Sequence, residues 1–412
     1  MDADGLAAEW GQTIMTTRAV IGRMGTIESV ETRHCDAGWR DYHFLRIETD
    51  AGVVGWSEYD ENLGGTGLTA VVEELAPLVV GESVSDVERV RARLVAEARQ
   101  SLTGVMAMAV GAFENALLDA KAKELGVPCV ELLGGAVREE IPVYWSHCGS
   151  YRITRPEYYE PVETLDDVRA LGEEVRESQF SALKTNIFDF RGDEPEGWAP
   201  GFGRPFHPSL TIEDDQLAAQ REYLDALREG TGPEVDILLD LNYNMKPEGY
   251  VRLLDELADF ELFWVELDSP SATALADVRA QSPHPVASCE ALVPHESFVP
   301  YLREEAMDVA IIDALWNGVF HATKIAAMAD AHQLHVAPHN YYGHLATFMN
   351  AHFAAAIPNL RIMETDIDRL PWDDELFTAT PEYRDGELQL PSESGWGCEP
   401  DEDALDRHPP DS

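Results

Sequence analysis

The sequence is poor in basic side chains, and lysine is especially scarce. Only 30 of its 412 residues are Lys or Arg, whereas 76 are Asp or Glu, and the formal net charge is −46. A protein this acidic repels the phosphates of nucleic acids and the headgroups of anionic membranes, so we expect neither kind of partner. An acidic surface with few lysines is also typical of proteins that stay soluble in molar salt. The composition therefore predicts a halophilic source, such as a halophilic archaeon.

Long apolar stretches and a cysteine framework are also missing. No window approaches the roughly 20 apolar residues of a membrane-spanning helix. Residues 1–13 lack both the basic start and the apolar core of a secretion signal. The five cysteines are odd in number, and none is spaced as C-x-x-C. We therefore expect a cytoplasmic protein without structural disulfides.

The chain does contain enough apolar material for a large fold. Hydrophobic residues make up 45% of it, and a length of 412 residues favours two domains, or a barrel with an attached layer. From about residue 141 to 366, strand-like runs alternate with amphipathic helical patterns, which is typical of a parallel β/α barrel. The predicted strands are residues 141–147, 181–185, 234–240, 261–266, 285–290, 308–313, 335–339 and 361–366.

The regions that flank this array follow different patterns. Residues 27–34 and 44–61 predict a small antiparallel sheet, and helices are predicted at 68–79, 85–99 and 105–125. We therefore expect three parts along the chain: an α+β capping domain at 1–135, a barrel that carries the active site at 136–370, and a segment at 371–412 that packs back on the cap.

Polar side chains follow the predicted barrel strands, whose carboxyl ends converge on one mouth. From the third strand onward they recur at about the length of one β/α unit. Because neighbouring strands each contribute to this series, we expect the side chains to form one site. The series consists of Lys184, Asn186, Asp240, Asn242, Glu266, Glu290, Asp313, His339 and Glu364.

Three of these side chains predict a metal site. Asp240, Glu266 and Glu290 follow adjacent strands, and three carboxylates in a partly dry pocket repel one another. A hard divalent cation relieves that repulsion by taking oxygen ligands, so we expect Mg²⁺, with Mn²⁺ as the alternative. Any one of the three could instead be a solvated loop acid, but their common register argues against coincidence.

Two further members of the series predict acid–base chemistry. The Asp313 carboxylate could hold the His339 imidazole in one tautomer, which would make His339 a general base. Lys184 ends an apolar strand, so its ammonium could bind a substrate carboxylate and neutralise the charge of an enediolate. The alternatives are a histidine at the barrel rim, a turn aspartate and a lysine that reaches for solvent.

The strand ends resemble those of the mandelate racemase subgroup of the enolase superfamily, and the resemblance covers nearly the whole chain. It implies a capping domain, completed by the C-terminal segment, on a modified (β/α)₇β barrel. It also implies Mg²⁺ ligands at Asp240, Glu266 and Glu290, a dyad of His339 with Asp313, and an eighth-strand acid at Glu364. The segments that carry it are VDILLDLNYN, FWVELDSP, PVASCEAL, IIDALWNG, VAPHN and IMETD.

Departures from the family pattern bear on the reaction. Racemases of this group have K-x-K on the second strand, whereas this chain has Lys184 and Asn186, so a second lysine base is missing. Similar K-x-N patterns occur in sugar-acid dehydratases. The fourth strand has Asp268 where the family commonly has proline, and this acid is expected to lie next to the ligand Glu266.

The acid that expels the leaving hydroxyl group is left open by the sequence. Some aldonate dehydratases have a histidine two residues after the first ligand, where this chain has Asn242. The proton could come from His339 itself, from His147 or from Tyr243.

Substrate contacts are expected from the barrel mouth and from the cap. The predicted contacts are Asn186, Asn242, His147 and Arg40. A loop rich in glycine and proline at 191–208 is predicted on the same face of the barrel.

The resemblance predicts Mg²⁺-dependent dehydration of an aldonate, such as gluconate or galactonate, or of an aldarate to a 2-keto-3-deoxy acid. The catalytic residues would be His339, Asp313, Lys184 and Glu364. A racemase or epimerase of a 2-hydroxy acid is the alternative, and a cycloisomerase is disfavoured because the sixth strand ends in an aspartate. A non-catalytic carboxylate-binding protein on the same fold stays open. Family analogy suggests an even-numbered homo-oligomer, such as an octamer.

Overall fold

The computed structural model describes residues 24–62, 65–200 and 212–410. The first 13 residues and the part of the 191–208 loop beyond residue 200 therefore lie outside the described residues. Over the described ranges, the structure contains no helix that is both long and apolar enough to cross a membrane.

The N-terminal part is a three-stranded antiparallel sheet covered by helices. Its strands are Ile27–Asp36, Asp41–Thr49 and Val54–Tyr59. Helices follow at Leu68–Val79, Val87–Glu97, Val105–Leu125 and Cys129–Leu132. The predicted cap sheet and its three main helices are thus confirmed.

The helix Val105–Leu125 lies between the cap sheet and the barrel and is buried along most of its length. Two glycines allow this close packing. A Cβ on Gly111 would lie 2.5 Å from the carbonyl oxygen of Trp316 in the barrel, and a Cβ on Gly55 would collide with the carbonyl oxygen of Ala116. The cap and the barrel therefore meet backbone to backbone.

Eight parallel strands form the barrel, as predicted. Each strand pairs with the next from the first to the seventh, and the eighth pairs with the first. The seventh strand reaches the start of the eighth through a parallel bridge from Val336 to Leu360. The strands are, in order, Glu140–Ser146, Ala182–Thr185, Asp236–Asp240, Trp264–Glu266, Val286–Ser288, Val309–Asp313, His335–His339 and Met363–Asp366.

Two of these strands end earlier than the sequence predicts. The first strand ends at Ser146, and the fifth ends at Ser288. The next residues, His147 and Cys289, have left-handed backbones with φ of 47° and 92°. Since an extended chain cannot continue through that conformation, each strand stops there and turns into the barrel mouth.

Helices surround the barrel because their apolar residues recur at three and four positions. Leu165–Glu177 shows this pattern, with Thr164 and Asp167 forming a capping box at its start. A short 3₁₀ helix, Asp373–Leu376, follows the eighth strand in place of a full helix. The barrel helices are Ser150–Thr154, Leu165–Glu177, Asp214–Thr231, Pro247–Glu256, Ala272–Gln281, Phe298–Arg303, Ala314–Asn317, Val319–Ala331 and His344–Ala356.

An apolar layer fills the barrel interior below the mouth. Its members include Ala182, Leu238, Trp264, Ala337 and Ile362. Side chains alternate along a strand, so the residue two positions later on each of these strands points into the same interior, one layer nearer the carboxyl end. That next layer carries the polar series.

The C-terminal segment contacts both the barrel and the cap. Its strand Glu387–Gln389 pairs antiparallel with the first barrel strand and forms a hairpin with Tyr383–Arg384. The Trp396 indole donates a hydrogen bond to the carbonyl of Trp56 in the cap sheet. A last helix, Glu402–Arg407, lies against the first cap strand. The expected packing against the cap is confirmed, and the pairing with the barrel adds to it.

Side chains of the cap also complete the N-termini of two barrel helices. Glu58 accepts hydrogen bonds from the backbone N–H groups of Gly343 and Ala346, at the start of His344–Ala356. At the start of Val319–Ala331, the side chains of Glu114 and Asn115 accept from His321 and Val319. Helix N-termini leave N–H groups without partners, so the cap satisfies a requirement of the barrel.

Candidate active site

Lys184 lies at the centre of the barrel mouth. Its Nζ is 2.8 Å from Glu364, 3.2 Å from Glu266 and 3.5 Å from Asp240, and its side chain is 2% exposed. Burial alone would lower its pKa, but these carboxylates outweigh burial and hold the pKa of Lys184 well above its ordinary value. The one ammonium is therefore shared by three acids.

Glu266 is the least satisfied of these acids. Its Oε1 is buried without a hydrogen-bond partner among the described residues, and Oε2 accepts from Lys184. Burial raises the pKa of Glu266 to about 7 against the effect of Lys184, and the charges of Asp240 and Glu364 add to the rise. The sequence predicts this residue as a metal ligand.

Asp240, the first predicted ligand, is held by its own loop. The backbone N–H and the side-chain amide of Asn242 both donate to Asp240 Oδ1, at 2.9 and 2.8 Å. Asn242 has a left-handed backbone with φ of 43°, and its carbonyl accepts from the Tyr250 hydroxyl. The amide nitrogen of Asn242, predicted to bind substrate, thus orients a carboxylate in this structure.

Glu290, the third predicted ligand, lies beside the histidine of the site, with Oε2 3.7 Å from His339 Nε2. Burial raises its pKa well above the ordinary value against the effect of His339, and Asp268 and Asp240 strengthen the rise. Asp268 itself accepts from the Ser288 hydroxyl and the Cys289 N–H, both at 2.8 Å. It is therefore a fourth buried acid near the three predicted ligands.

These carboxylates have the chemistry of a hard-cation site. Within the described ranges, no three metal-binding side chains converge into a ready-made site. Asp240 and Glu266 have Lys184 as their common neighbour, and Glu290 follows the adjacent fifth strand and lies beside His339. The donors are all oxygens, and one buried oxygen of Glu266 lacks a hydrogen-bond partner in the described part of the chain. A divalent cation fits this set, because it would satisfy that oxygen and offset the mutual repulsion.

His339 forms a hydrogen-bonded pair with Asp313, as the sequence suggests. Its Nδ1 is 2.7 Å from Asp313 Oδ2, which also accepts from the Tyr342 hydroxyl. Burial alone would lower the pKa of His339, but the bond to Asp313 and the charges of Glu290 and Glu364 raise it to about 10. Since a carboxylate accepts only, Asp313 fixes the proton on Nδ1 and directs Nε2 toward the acids of the mouth.

Glu364, on the eighth strand, joins the two sides of the mouth. Its Oε1 contacts Lys184 and the Ser146 hydroxyl, and its Oε2 accepts from the Asn340 N–H at 2.8 Å. Burial alone would raise its pKa, but the charges of Lys184 and His339 hold the pKa of Glu364 below its ordinary range. Glu364 is therefore an ionised acid.

Two predicted substrate contacts lie directly after the first and second strands. Asn186 accepts from the Ser150 hydroxyl at 2.9 Å and is partly exposed. His147 follows the first strand, and its Nδ1 is 2.8 Å from Ser146 Oγ and 3.6 Å from Asp366 Oδ1. Its side chain is 21% exposed, compared with 8% for His339.

The guanidinium of Arg40, a predicted substrate contact from the cap, is occupied. It donates to the carbonyl of Tyr341 and is 3.2 Å from Asp366 and 3.3 Å from the Tyr42 hydroxyl. Its charge also lies 4.7 Å from the centre of the Trp39 ring. Arg40 thus ties the cap to the eighth strand at the edge of the mouth.

Sequence reasoning missed Ser146, Tyr342 and Asp366. Asp366 could have been found, because it lies two positions after Glu364 and so points to the same face of the strand. Ser146 and Tyr342 carry no such signal, since a single hydroxyl residue in an apolar strand or in a loop is common.

The comparisons with known proteins agree with this architecture. Residues 167–404 match the family model of enolase C-terminal domain-like proteins. Residues 24–134 match the N-terminal domain model of mandelate racemase and muconate lactonizing enzyme.

Among curated relatives, the D-xylonate dehydratase of Haloferax volcanii is 29% identical over 391 residues, which cover 94% of this chain and 89% of the relative. A D-galactonate dehydratase family member of Streptomyces bingchenggensis is 28% identical, with 93% of both chains covered.

Among solved structures, a Burkholderia xenovorans protein named as a candidate L-alanine-DL-glutamate epimerase is 56% identical, with a TM-score of 0.92. The match covers 94% of this chain and 98% of that one. A second structure of that protein was determined with magnesium and fumarate bound.

Proposed function

The chain belongs to the enolase and mandelate racemase superfamily, and we propose that it is a metal-dependent dehydratase of a sugar acid. The substrate would be an aldonate, such as gluconate or galactonate, or an aldarate, and the product a 2-keto-3-deoxy acid. One observation carries the proposal. The base dyad of His339 and Asp313 lies on one flank of the mouth, whereas the second strand has Asn186 where a second lysine base would be needed for inversion. The two dehydratase relatives support the same reaction.

The proposed metal ligands are Asp240, Glu266 and Glu290, with Mg²⁺ as the ion and Mn²⁺ as an alternative. A cation held there would stabilise the negative charge that develops on the substrate carboxylate as the α-proton leaves. The magnesium-bound structure of the Burkholderia protein supports this choice of ion.

The chain's own residues then divide the work. Lys184 binds a carboxylate oxygen of the substrate and adds positive charge near the developing enediolate. In its neutral form, His339 takes the α-proton on Nε2, and Asp313 holds the ring and stabilises the imidazolium that results. Glu364 keeps Lys184 in place through its 2.8 Å contact.

The remaining contacts would recognise the rest of the substrate. Asn186 and His147 are partly exposed at the mouth and are proposed to face it directly. Asn242 and Arg40 are engaged with Asp240 and Asp366, so we propose that they shape the substrate pocket through these partners.

A second candidate reaction is epimerisation. The 56% identity to a protein named as a candidate epimerase favours it. Both reactions begin with removal of an α-proton, so they differ only in the fate of the intermediate. Epimerisation needs an acid on the opposite face, whereas dehydration needs an acid near the neighbouring hydroxyl.

A panel of aldonates and aldarates in deuterated water tests the proposal. The wild type should form a 2-keto-3-deoxy acid with deuterium at carbon 3, and His339→Asn should lose both this product and exchange of the α-proton. His332→Asn is the matched control, because His332 is exposed. A substrate inverted at carbon 2 without any keto acid would make the protein an epimerase.

The proposed setting is the cytoplasm of a halophile, with a sugar acid as partner and neither nucleic acid nor membrane. An even-numbered homo-oligomer is proposed by family analogy. The net charge of −46 predicts that the thermal midpoint falls when salt is lowered from 1 M to 0.1 M, as the Debye length grows from about 3 to about 10 Å. Circular dichroism across a salt series measures it, and an unchanged midpoint would refute the halophilic source.

A further inference from the structure

We propose that His147 is the general acid that protonates the departing hydroxyl group. The inference rests on the proposed dehydration and assigns the one role that the base dyad leaves unfilled. It also makes Ser146 a positioning residue that acts through His147.

A short hydrogen-bonded chain sets the tautomer of His147. The Ser146 hydroxyl has one proton, and it donates that proton to Glu364, an ionised acceptor. At its other contact, 2.8 Å from His147 Nδ1, the same oxygen can only accept. His147 therefore carries a proton on Nδ1 in either charge state, and Nε2 is the atom that can gain or lose one.

The surroundings leave Nε2 available. Among the described residues, no hydrogen-bond partner contacts Nε2 of His147. Tyr151 stacks on the ring at 5.2 Å and 15°, and Asp366 Oδ1 lies 3.6 Å from Nδ1. When His147 is protonated, it forms an ion pair with Asp366. The ring is thus fixed on one side and open on the other.

The backbone of His147 is unusual for a side chain of this size. Its φ of 47° is in the left-handed region, which non-glycine residues seldom occupy. This conformation ends the first strand and turns the imidazole into the mouth. Such conformations are common where a side chain must be placed for function.

His147 and the base lie on the same flank. His339 follows the seventh strand and His147 the first, with Glu364 on the eighth strand between them. The Tyr341 ring contacts both imidazoles, at 5.2 Å from His339 and 5.8 Å from His147. Inversion at one carbon needs two groups on opposite faces. Two groups on one flank suit proton removal at one carbon and proton delivery at its neighbour.

The rival acid, Tyr243, lies elsewhere. Burial raises the pKa of Tyr243 well above its ordinary value. The charges of Asp268 and Glu290, which follow the fourth and fifth strands, add to the rise. Tyr243 also lies three residues after Asp240, the end of the third strand, so it is on the side of the proposed metal ligands.

After His339 has taken the α-proton, the electron pair of the enediolate forms the double bond between carbons 2 and 3, and the bond from carbon 3 to oxygen breaks. The proton on His147 Nε2 goes to that oxygen, and water leaves. The enol product gains a proton at carbon 3 and loses one from its hydroxyl. Solvent takes the proton from His339 and returns one to His147.

His147→Asn is the informative variant, because asparagine tolerates a left-handed backbone better than most residues. Dehydration of the aldonate that the wild type uses should fall at least about 10²-fold, the usual contribution of a general acid. Exchange of the α-proton with deuterated water should persist within about tenfold, since it needs only His339. Tyr243→Phe is the parallel variant and should keep dehydration within about tenfold.

A fluorinated substrate separates acid catalysis from binding. Fluoride leaves without a proton, so release of fluoride from the 3-deoxy-3-fluoro analogue should be within about tenfold of wild type in His147→Asn. In Ser146→Ala, dehydration should also fall more than fluoride release, but by a smaller factor. This variant serves as the test if His147→Asn does not fold.

Each outcome decides a different question. If His147→Asn slows the release of water and of fluoride equally, or slows neither, the role of His147 is overturned and the dehydratase proposal stands. If Tyr243→Phe releases water slowly but fluoride at the normal rate, Tyr243 is the general acid instead. A wild type that exchanges the α-proton but releases neither water nor fluoride would overturn both proposals.

Discussion

Glu58 in the cap and Glu266 in the barrel mouth are both glutamates, and they are buried to the same degree. Each is 2% exposed, and burial raises the pKa of each to about 7. Both oxygens of Glu58 accept backbone N–H groups, whereas Oε1 of Glu266 has no partner among the described residues. One carboxylate completes a helix, and the other has an oxygen that is available for the proposed cation.

The same contrast separates another cap acid, Glu114, from the acids of the mouth. Glu114, at the junction of cap and barrel, contacts the Arg91 guanidinium, His321 and a backbone N–H. At the mouth, one ammonium serves three acids. Buried acids that are fully bonded stabilise a fold, and acids that repel one another cost stability and mark function.

The largest expected effect comes from Glu266→Gln, which keeps the shape and removes the charge. Activity should fall more than about 10³-fold, because a ligand of a mainly electrostatic site is lost. The thermal midpoint should stay or rise, because a repulsion is removed. Turnover, metal content and calorimetry measure this. Glu58→Gln is the matched control and should keep activity within about tenfold.

Glu114→Ala tests the opposite kind of acid. It leaves the Arg91 guanidinium and the His321 N–H buried without their partner, so the free energy of unfolding should fall by about 3 kcal/mol. Turnover per folded molecule should remain. Denaturant unfolding measures the loss, and a variant that folds normally but is inactive would contradict the purely structural role of Glu114.

The stability of the protein should depend on pH through Glu58. Its pKa is about 7 in the folded protein, above the ordinary carboxyl value. The folded state therefore holds the proton more tightly, and the stability from this group is fully present below about pH 4 and lost as pH rises through about 7. Between pH 5 and 8, the wild type should lose about 2 kcal/mol more than Glu58→Gln. Parallel slopes for the two proteins would contradict the raised pKa.

The smallest expected effect is that of Asn115→Ala. Asn115 accepts from Val319 N–H at 2.7 Å and donates to the Ala314 carbonyl. Loss of a helix cap typically costs about 1 kcal/mol. Thermal unfolding should show this without a change in turnover. A loss as large as that of Glu114→Ala would mean that the two caps act as one unit.

The barrel strands could be predicted because apolar runs of strand length alternate with helical patterns, and each such run is buried. Lys184 stood out because lysine is rare in this chain and because it ends a strand. The direction of the side chains at the strand ends could be predicted from the alternation along a strand. Glu266, two residues after the interior residue Trp264, points into the same barrel interior.

What could not be predicted depends on long-range contacts. Arg40 and Asp366 are 326 positions apart, and nothing local indicates that the guanidinium is already paired. The side chain of Asn242 turns back on Asp240, and its backbone is left-handed; neither feature can be read from the sequence around it. The early ends of the first and fifth strands have the same origin, since an apolar run does not reveal where φ changes sign.

The caps that Glu58, Glu114 and Asn115 supply to barrel helices have a consequence for engineering. A barrel expressed without its cap would expose the N–H groups of two helix N-termini, so the two parts should melt in one cooperative transition. A cap grafted from a homologous chain must therefore carry these three positions with it. A chimera that swaps only the loops around Arg40 avoids that requirement, because it leaves the three capping side chains in place.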